Sequence, residues 1–114
     1  NTIHIRDLSP KRDYLYINDF SDLILKIIEK NKISGLEIYN VGFGESYSVS
    51  DIIRIISEIT NISFDIIESG QKRKNEISNC YADITKIRKT FNWFPKVSLH
   101  DGLSCIYKSK INIW

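Results

Sequence analysis

Methionine is absent from the 114 residues, proline and cysteine occur twice each, and no repeat, low-complexity tract or long linker interrupts the chain. Cys80 and Cys105 show neither the C-x-x-C spacing nor the neighbouring histidines of a zinc site, so no metal centre is expected and both read as reduced thiols of a cytoplasmic protein. No apolar run approaches the roughly 20 residues that cross a bilayer, and the polar start "NTIHIRDLSPKRD" lacks the apolar region of a signal peptide. Charge of one sign is missing too: 16 lysines and arginines against 14 acids leave a formal net charge of +2, spread along the chain without the one-sided footprint of a nucleic-acid binder. Neither nucleic acid nor membrane is an expected partner. The missing methionine points to a chain cut from something longer.

A hydrophobic content of 42% in 114 residues is enough for one domain with a modest core. Thr2–Arg6 alternates, with Ile3 and Ile5 on one face, and Tyr14–Ile17 is aromatic and β-branched; both read as short strands. Phe20, Leu23, Ile24, Ile27 and Ile28 recur at helical spacing through Lys30. Leu36–Val41 reads as a strand, and "SVSD" at Ser48–Asp51 as a capping box opening a helix with Ile52, Ile56 and Ile59 inward. Ser63–Glu68 reads as a strand and "SGQKRKNEISN" as a loop. Asp83 caps a third helix through about Phe91, Pro95 forces a break, and "SLHD" at Ser98–Asp101 caps a last helix with Leu99, Leu103, Ile106 and Tyr107 on one stripe. Gly102 is unfavourable there. The pattern predicts an α/β or α+β unit over residues 1–114, a small sheet with about four helices packed on it.

The stretch "YNVGFGES", Tyr39–Ser46, places two glycines after an apolar run, as a phosphate-cradling loop does. A dinucleotide turn needs G-x-G-x-x-G directly between strand and helix. Here Tyr47 stands where the third glycine belongs and the helix begins only after the later serine cap. The other reading is a turn that needs glycine's freedom in φ. Elsewhere, no Ser/His/Asp or Cys/His grouping appears, and His4 and His100 read as solvated residues. "QKRKNE", Gln71–Glu76, reads either as a solvated charge run or as a loop that holds phosphate through arginine.

Taken in order, "RDYLYIND", a helix, "YNVGFGESYSVSD", a basic loop and "YADITKIRKTFNWFPKVSLHDGL" resemble the carboxy-terminal third of the NAD-dependent epimerase/dehydratase family. These are extended short-chain dehydrogenases/reductases that act on nucleotide sugars. The resemblance runs from about Pro10 to about Ile106. It implies an α/β fragment on the substrate side of such an enzyme, without the amino-terminal Rossmann part that carries the NAD(P) loop and a Tyr-x-x-x-Lys pair. Tyr16, Tyr47, Tyr81 and Tyr107 all lack a lysine four residues later, so no catalytic residue is assigned. The parent enzyme would use NAD or NADP, with none bound by this portion alone.

Carried over by position, the resemblance implies that Arg12 and Arg73 clamp the diphosphate of a UDP-, dTDP-, GDP- or CDP-linked sugar. Val49 lies beside the base, Glu76 reaches the ribose hydroxyls, and Cys80 lies near the sugar. For Arg12 the competing reading is a surface ion pair with Asp13, and for Cys80 it is core filling. Where the family commonly has "RPGD", this chain has "RKNE", which puts the loop geometry in question. The resemblance also assigns the glycine turn to the substrate lobe, not to NAD. The expected function is nucleotide-sugar epimerisation, dehydration or reduction in the cytoplasm by a homo-oligomer; the alternative is a non-catalytic nucleotide- or protein-binding module that retains the fold.

Overall fold

The computed structural model describes residues 1–30 and 35–111. β1 (Thr2–Ile5) and β4 (Asp65–Glu68) pair in parallel, with Thr2 opposite Asp65 and Ile5 opposite Glu68. β2 (Lys11–Arg12) is the centre of a second sheet, antiparallel to β3 (Tyr47–Ser48) and parallel to β5 (Asn79–Cys80). Among the described residues four helices complete the order: α1 (Ile17–Glu29), α2 (Val49–Thr60), α3 (Thr85–Phe91) and α4 (Leu99–Ile111). The α/β character read from the sequence is therefore present.

The core lies between α1 and α3. Leu23 and Ile87 are fully enclosed and pack with Phe91 and Trp93, flanked by Leu15, Ile27, Tyr39 and Ile84. The segment after α3 is tied to α1 by the buried Asp19: its Oδ2 accepts the amides of Lys96 (3.0 Å) and Val97 (2.9 Å), and its carbonyl accepts the Trp93 indole N–H (3.1 Å). Satisfying these donors inside the protein is what allows so polar a side chain to be buried.

Both serine caps form. Ser48 Oγ accepts the Asp51 amide at 3.1 Å while Asp51 accepts the Ser48 amide at 3.0 Å, a reciprocal box. At α4, Ser98 Oγ accepts the Asp101 amide, and the Asp101 carboxylate returns to the Ser98 hydroxyl. Asp83 is not the cap expected of it: the N-cap of α3 is Ile84, which has no side-chain cap bond, and Asp83 accepts the Thr85 amide at 2.9 Å from one position further out; α3 ends at Phe91 with Asn92 in the left-handed region. Gly102 has a packing reason: a Cβ there would stand 2.9 Å from the Tyr16 ring, which lies against α4.

Several expectations are corrected. Tyr14–Ile17 is not a strand; the ladder closes at Arg12 and α1 begins at Ile17, three residues before the first apolar position of its stripe. Leu36–Val41 forms no strand among the described residues. A strand needs a ladder partner, and none meets this segment, whose Leu36 is 91% exposed. The loop "SGQKRKNEISN" ends one residue early, as Asn79 enters β5. On α2 the most buried positions are Ile53 and Ile55 rather than Ile52, Ile56 and Ile59, because α2 packs on α4 as well as lying against β3. Phe20, Ile24 and Ile28 of α1 are substantially exposed, as are Ile106 and Tyr107 of α4. The shape explains this. With extents of 52 × 41 × 18 Å and a radius of gyration of 17.5 Å, against about 13 Å for a compact chain of this size, the molecule is a thin slab whose helices have only one covered side.

Candidate functional site

The parallel pairing of β1 with β4 carries the basic loop, which follows β4, over the end of β2. A cleft of about 440 Å³ forms at that junction. β1 and its following turn supply His4, Ile5, Arg6 and Asp7, β2 supplies Arg12, Val49 is the first residue of α2, and the loop supplies Gln71, Arg73 and Glu76. Arg12, Val49, Arg73 and Glu76, separated by up to 64 positions in the chain, thus line one cleft. Cys80 does not line it. It lies opposite Arg12 on β5 and is exposed, so it does not fill core space.

Arg12 is held rigidly. Its Nη1 donates to the carbonyls of Lys11 (2.8 Å) and Ile77 (2.7 Å), and its Nη2 forms an ion pair with Glu76 Oε1. The sequence-based alternative, a pair with Asp13, is not what the structure contains. Arg73 is far more open: its side chain is 77% exposed and its Nε lies 4.0 Å from Glu76 Oε2. The "RKNE" loop turns at this point. The Glu76 amide donates to the Arg73 carbonyl at 3.3 Å, and Asn75 takes φ = 61°. Asparagine tolerates that left-handed conformation, so the turn closes without the glycine of "RPGD". Asp7, the second carboxylate of the cleft, is occupied by the Ser9 hydroxyl (2.6 Å) and amide (2.8 Å), which hold its carboxyl below the usual carboxylate range. Three arginines therefore face two carboxylates, leaving the cleft cationic.

The glycine turn proves to bind an anion, but the anion is the chain's own. Asp13 Oδ1 accepts the amide of Phe43 at 2.7 Å, and Oδ2 accepts those of Gly44 at 3.0 Å and Ala82 at 3.1 Å. Gly44 sits at φ = 90°, and a Cβ on Gly42 would fall 2.4 Å from Asp13 Oδ2. The glycines are required by the approach of this carboxylate, and the turn does not fit a dinucleotide, since the amides that would cradle phosphate are already taken. Beyond the turn, burial and the neighbouring Glu45 push the Tyr47 phenol up. Among the described residues no cluster of His, Cys, Asp and Glu is arranged to hold a metal, and no helix is long and apolar enough to cross a membrane.

Comparison with known proteins agrees with the order of these motifs. The family described as GDP-mannose 4,6 dehydratase matches residues 1–106. The chain belongs to that family. It is a member of the wider group of NAD-dependent nucleotide-sugar epimerases and dehydratases, whose fold its own follows. UDP-glucose 4-epimerase of Yersinia enterocolitica is 35% identical over 104 residues, covering 90% of this chain and 30% of the relative. UDP-arabinose 4-epimerase 1 of Arabidopsis thaliana is 33% identical over 98 residues, 85% of this chain and 23% of the relative. Among solved structures, UDP-glucose 4-epimerase of Thermotoga maritima with UDP-glucose superposes with a TM-score of 0.78 at 31% identity, over 90% of this chain and 32% of that one. UDP-glucuronic acid 4-epimerase of Bacillus cereus, with UDP-glucuronic acid and NAD, gives 0.79 at 30% identity, over 99% and 35%. The chain thus spans about a quarter to a third of the length of these family members.

His4, Arg6, Asp7 and Gln71 of the cleft escaped sequence reasoning, because the β1–β4 pairing that brings them together joins residues over 60 positions apart. Asp13 is visible in "RDY", where the sequence offers it only as an ion-pair partner for Arg12 and not as the acceptor of the glycine turn. Two glycines without a phosphate leave amides that need an acceptor, and that requirement was the available signal.

Proposed function

We propose that this chain is the substrate-side portion of an NAD(P)-dependent nucleotide-sugar epimerase or dehydratase, and that its cleft binds the nucleoside diphosphate of the sugar. The observation that carries this reading is the convergence of Arg12, Val49, Arg73 and Glu76 on one cationic cleft. Planar guanidinium groups suit a diphosphate, a carboxylate accepts from paired ribose hydroxyls, and an apolar side chain packs against a base. Arg12 presents a fixed cation, whereas Arg73 is free to close on the ligand. Cys80, the ladder partner of Arg12, lies toward the sugar. The remainder of such an enzyme would hold NAD or NADP, which supplies the hydride chemistry; this portion contributes binding and orientation. The protein acts in the cytoplasm as a homo-oligomer.

Titration of the full-length protein and its Arg73→Ala variant with UDP-glucose tests the reading. Loss of a charge-assisted contact worth about 1.5 kcal/mol should raise Kd roughly tenfold. Arg73→Lys should recover part of the loss, because an ammonium keeps the charge without the planar fork. A Kd for Arg73→Ala within twofold of wild type would return the loop to a solvated charge run.

A further inference from the structure

Within the cleft, the two arginines assigned to the diphosphate already share an anion. Glu76 Oε1 is paired with Arg12 Nη2, and Oε2 lies 4.0 Å from Arg73 Nε. Only 20% of the Glu76 side chain is exposed, against 77% for Arg73, so the carboxylate lies inward of the cation it neighbours. Its position follows from the backbone: the Arg73–Glu76 turn, with Asn75 at φ = 61°, carries Glu76 back over β2, and the two carbonyl bonds of Arg12 hold the guanidinium to meet it. Asp7, the other carboxylate of the cleft, is bound to Ser9 and forms no ion pair with an arginine among the described residues. A phosphate oxygen approaching Arg12 and a Glu76 oxygen therefore compete for the same N–H donors.

We propose that Glu76 is a specificity-determining counter-ion, which an incoming diphosphate displaces from Arg12 and which only a ligand carrying a ribose diol compensates. The proposal rests on the nucleoside-diphosphate reading of the cleft and adds to it a selection rule. A nucleotide offers the released carboxylate two hydroxyl donors, whereas bare pyrophosphate leaves it next to added negative charge. Wild-type protein thus discriminates against pyrophosphate, and the discrimination resides in one side chain.

The test measures Kd for UDP and for inorganic pyrophosphate by calorimetry on the full-length wild-type protein, Glu76→Gln and Asp7→Asn, with circular dichroism confirming that each variant is folded. Glu76→Gln is near-isosteric, and it should bind pyrophosphate about three- to tenfold more tightly while UDP affinity stays level or falls. Asp7→Asn removes the same charge from the same cleft and should change pyrophosphate affinity less than twofold. Unchanged or weaker pyrophosphate binding by Glu76→Gln overturns the proposal, as does an equal gain from Asp7→Asn, which would reduce the effect to net charge. If neither UDP nor pyrophosphate binds wild type or Glu76→Gln, the diphosphate reading itself falls, and the counter-ion role with it.

Discussion

Replacing Asp13 by asparagine should be far more damaging than the same change at Asp19, although Asp19 is the more deeply buried of the two. The reason is the number of oxygens in use. Both oxygens of Asp13 accept amides, Oδ1 from Phe43 and Oδ2 from Gly44 and Ala82. An asparagine can keep its oxygen at Oδ2, but its NH₂ then faces the Phe43 amide, donor against donor at a site where the separation is now 2.7 Å. The lost charge-assisted bond is worth about 1.5–3 kcal/mol, and the unsatisfied amide adds to it. The total destabilisation is about 2–4 kcal/mol. At Asp19 both backbone amides go to Oδ2, so asparagine retains both contacts and loses only charge assistance, about 0.5–1.5 kcal/mol. Urea denaturation of the wild type and both variants, followed by far-ultraviolet circular dichroism, measures the difference. An Asp13→Asn variant within 0.5 kcal/mol of wild type (about a tenth of a typical domain's stability), or no costlier than Asp19→Asn, would refute the reasoning.

Gly42→Ala should cost at least about 2 kcal/mol, because its Cβ would fall 2.4 Å from Asp13 Oδ2 and 2.8 Å from the Ala82 Cβ; thermal melting checks this, and a midpoint equal to wild type counts against the close approach. The Ser48 hydroxyl and amide hold the Asp51 carboxyl below its ordinary value of 3.8, so its contribution is fully present above that pH and is lost as pH falls through the depressed value. Asp51→Asn should accordingly flatten the acid limb of the stability curve below about pH 4, and an unchanged limb would exclude the cap as its source. The exposed apolar residues of α1, including Leu25 at 58% and Ile28 at 67%, should drive self-association of the 114-residue chain. A Leu25→Lys/Ile28→Lys variant should scatter light as a smaller species than wild type, and equal masses would remove α1 from the interface.

Helices were the most legible part of the chain. The serine caps at Ser48 and Ser98 and the stop at Phe91 formed as their residues indicate, because capping depends on atoms three or four positions apart, whereas Asp83 lies one position outside the helix whose N-cap is Ile84. The strands Thr2–Arg6 and Ser63–Glu68 were legible as elements, but their parallel pairing with each other was not. Tyr14–Ile17 and Leu36–Val41 have strand composition and no ladder among the described residues, since composition records propensity while a strand also requires a neighbour.

The sequence alone determined the helices, two of the strands, the family and four of the cleft's residues, Arg12, Val49, Arg73 and Glu76, whose order along the chain carries the resemblance. Tertiary structure decided what those residues do to one another. It paired Arg12 with Glu76 instead of Asp13, and gave Asp13 to the glycine turn. It also moved Cys80 out of the cleft lining and left one side of α1 bare. The physical reason is range: a cap or turn closes over a few residues, whereas the contacts that divide two aspartates and a glutamate among their partners span 30 to 78 positions. Such contacts depend on which strands pair, a choice made by the packed chain as a whole.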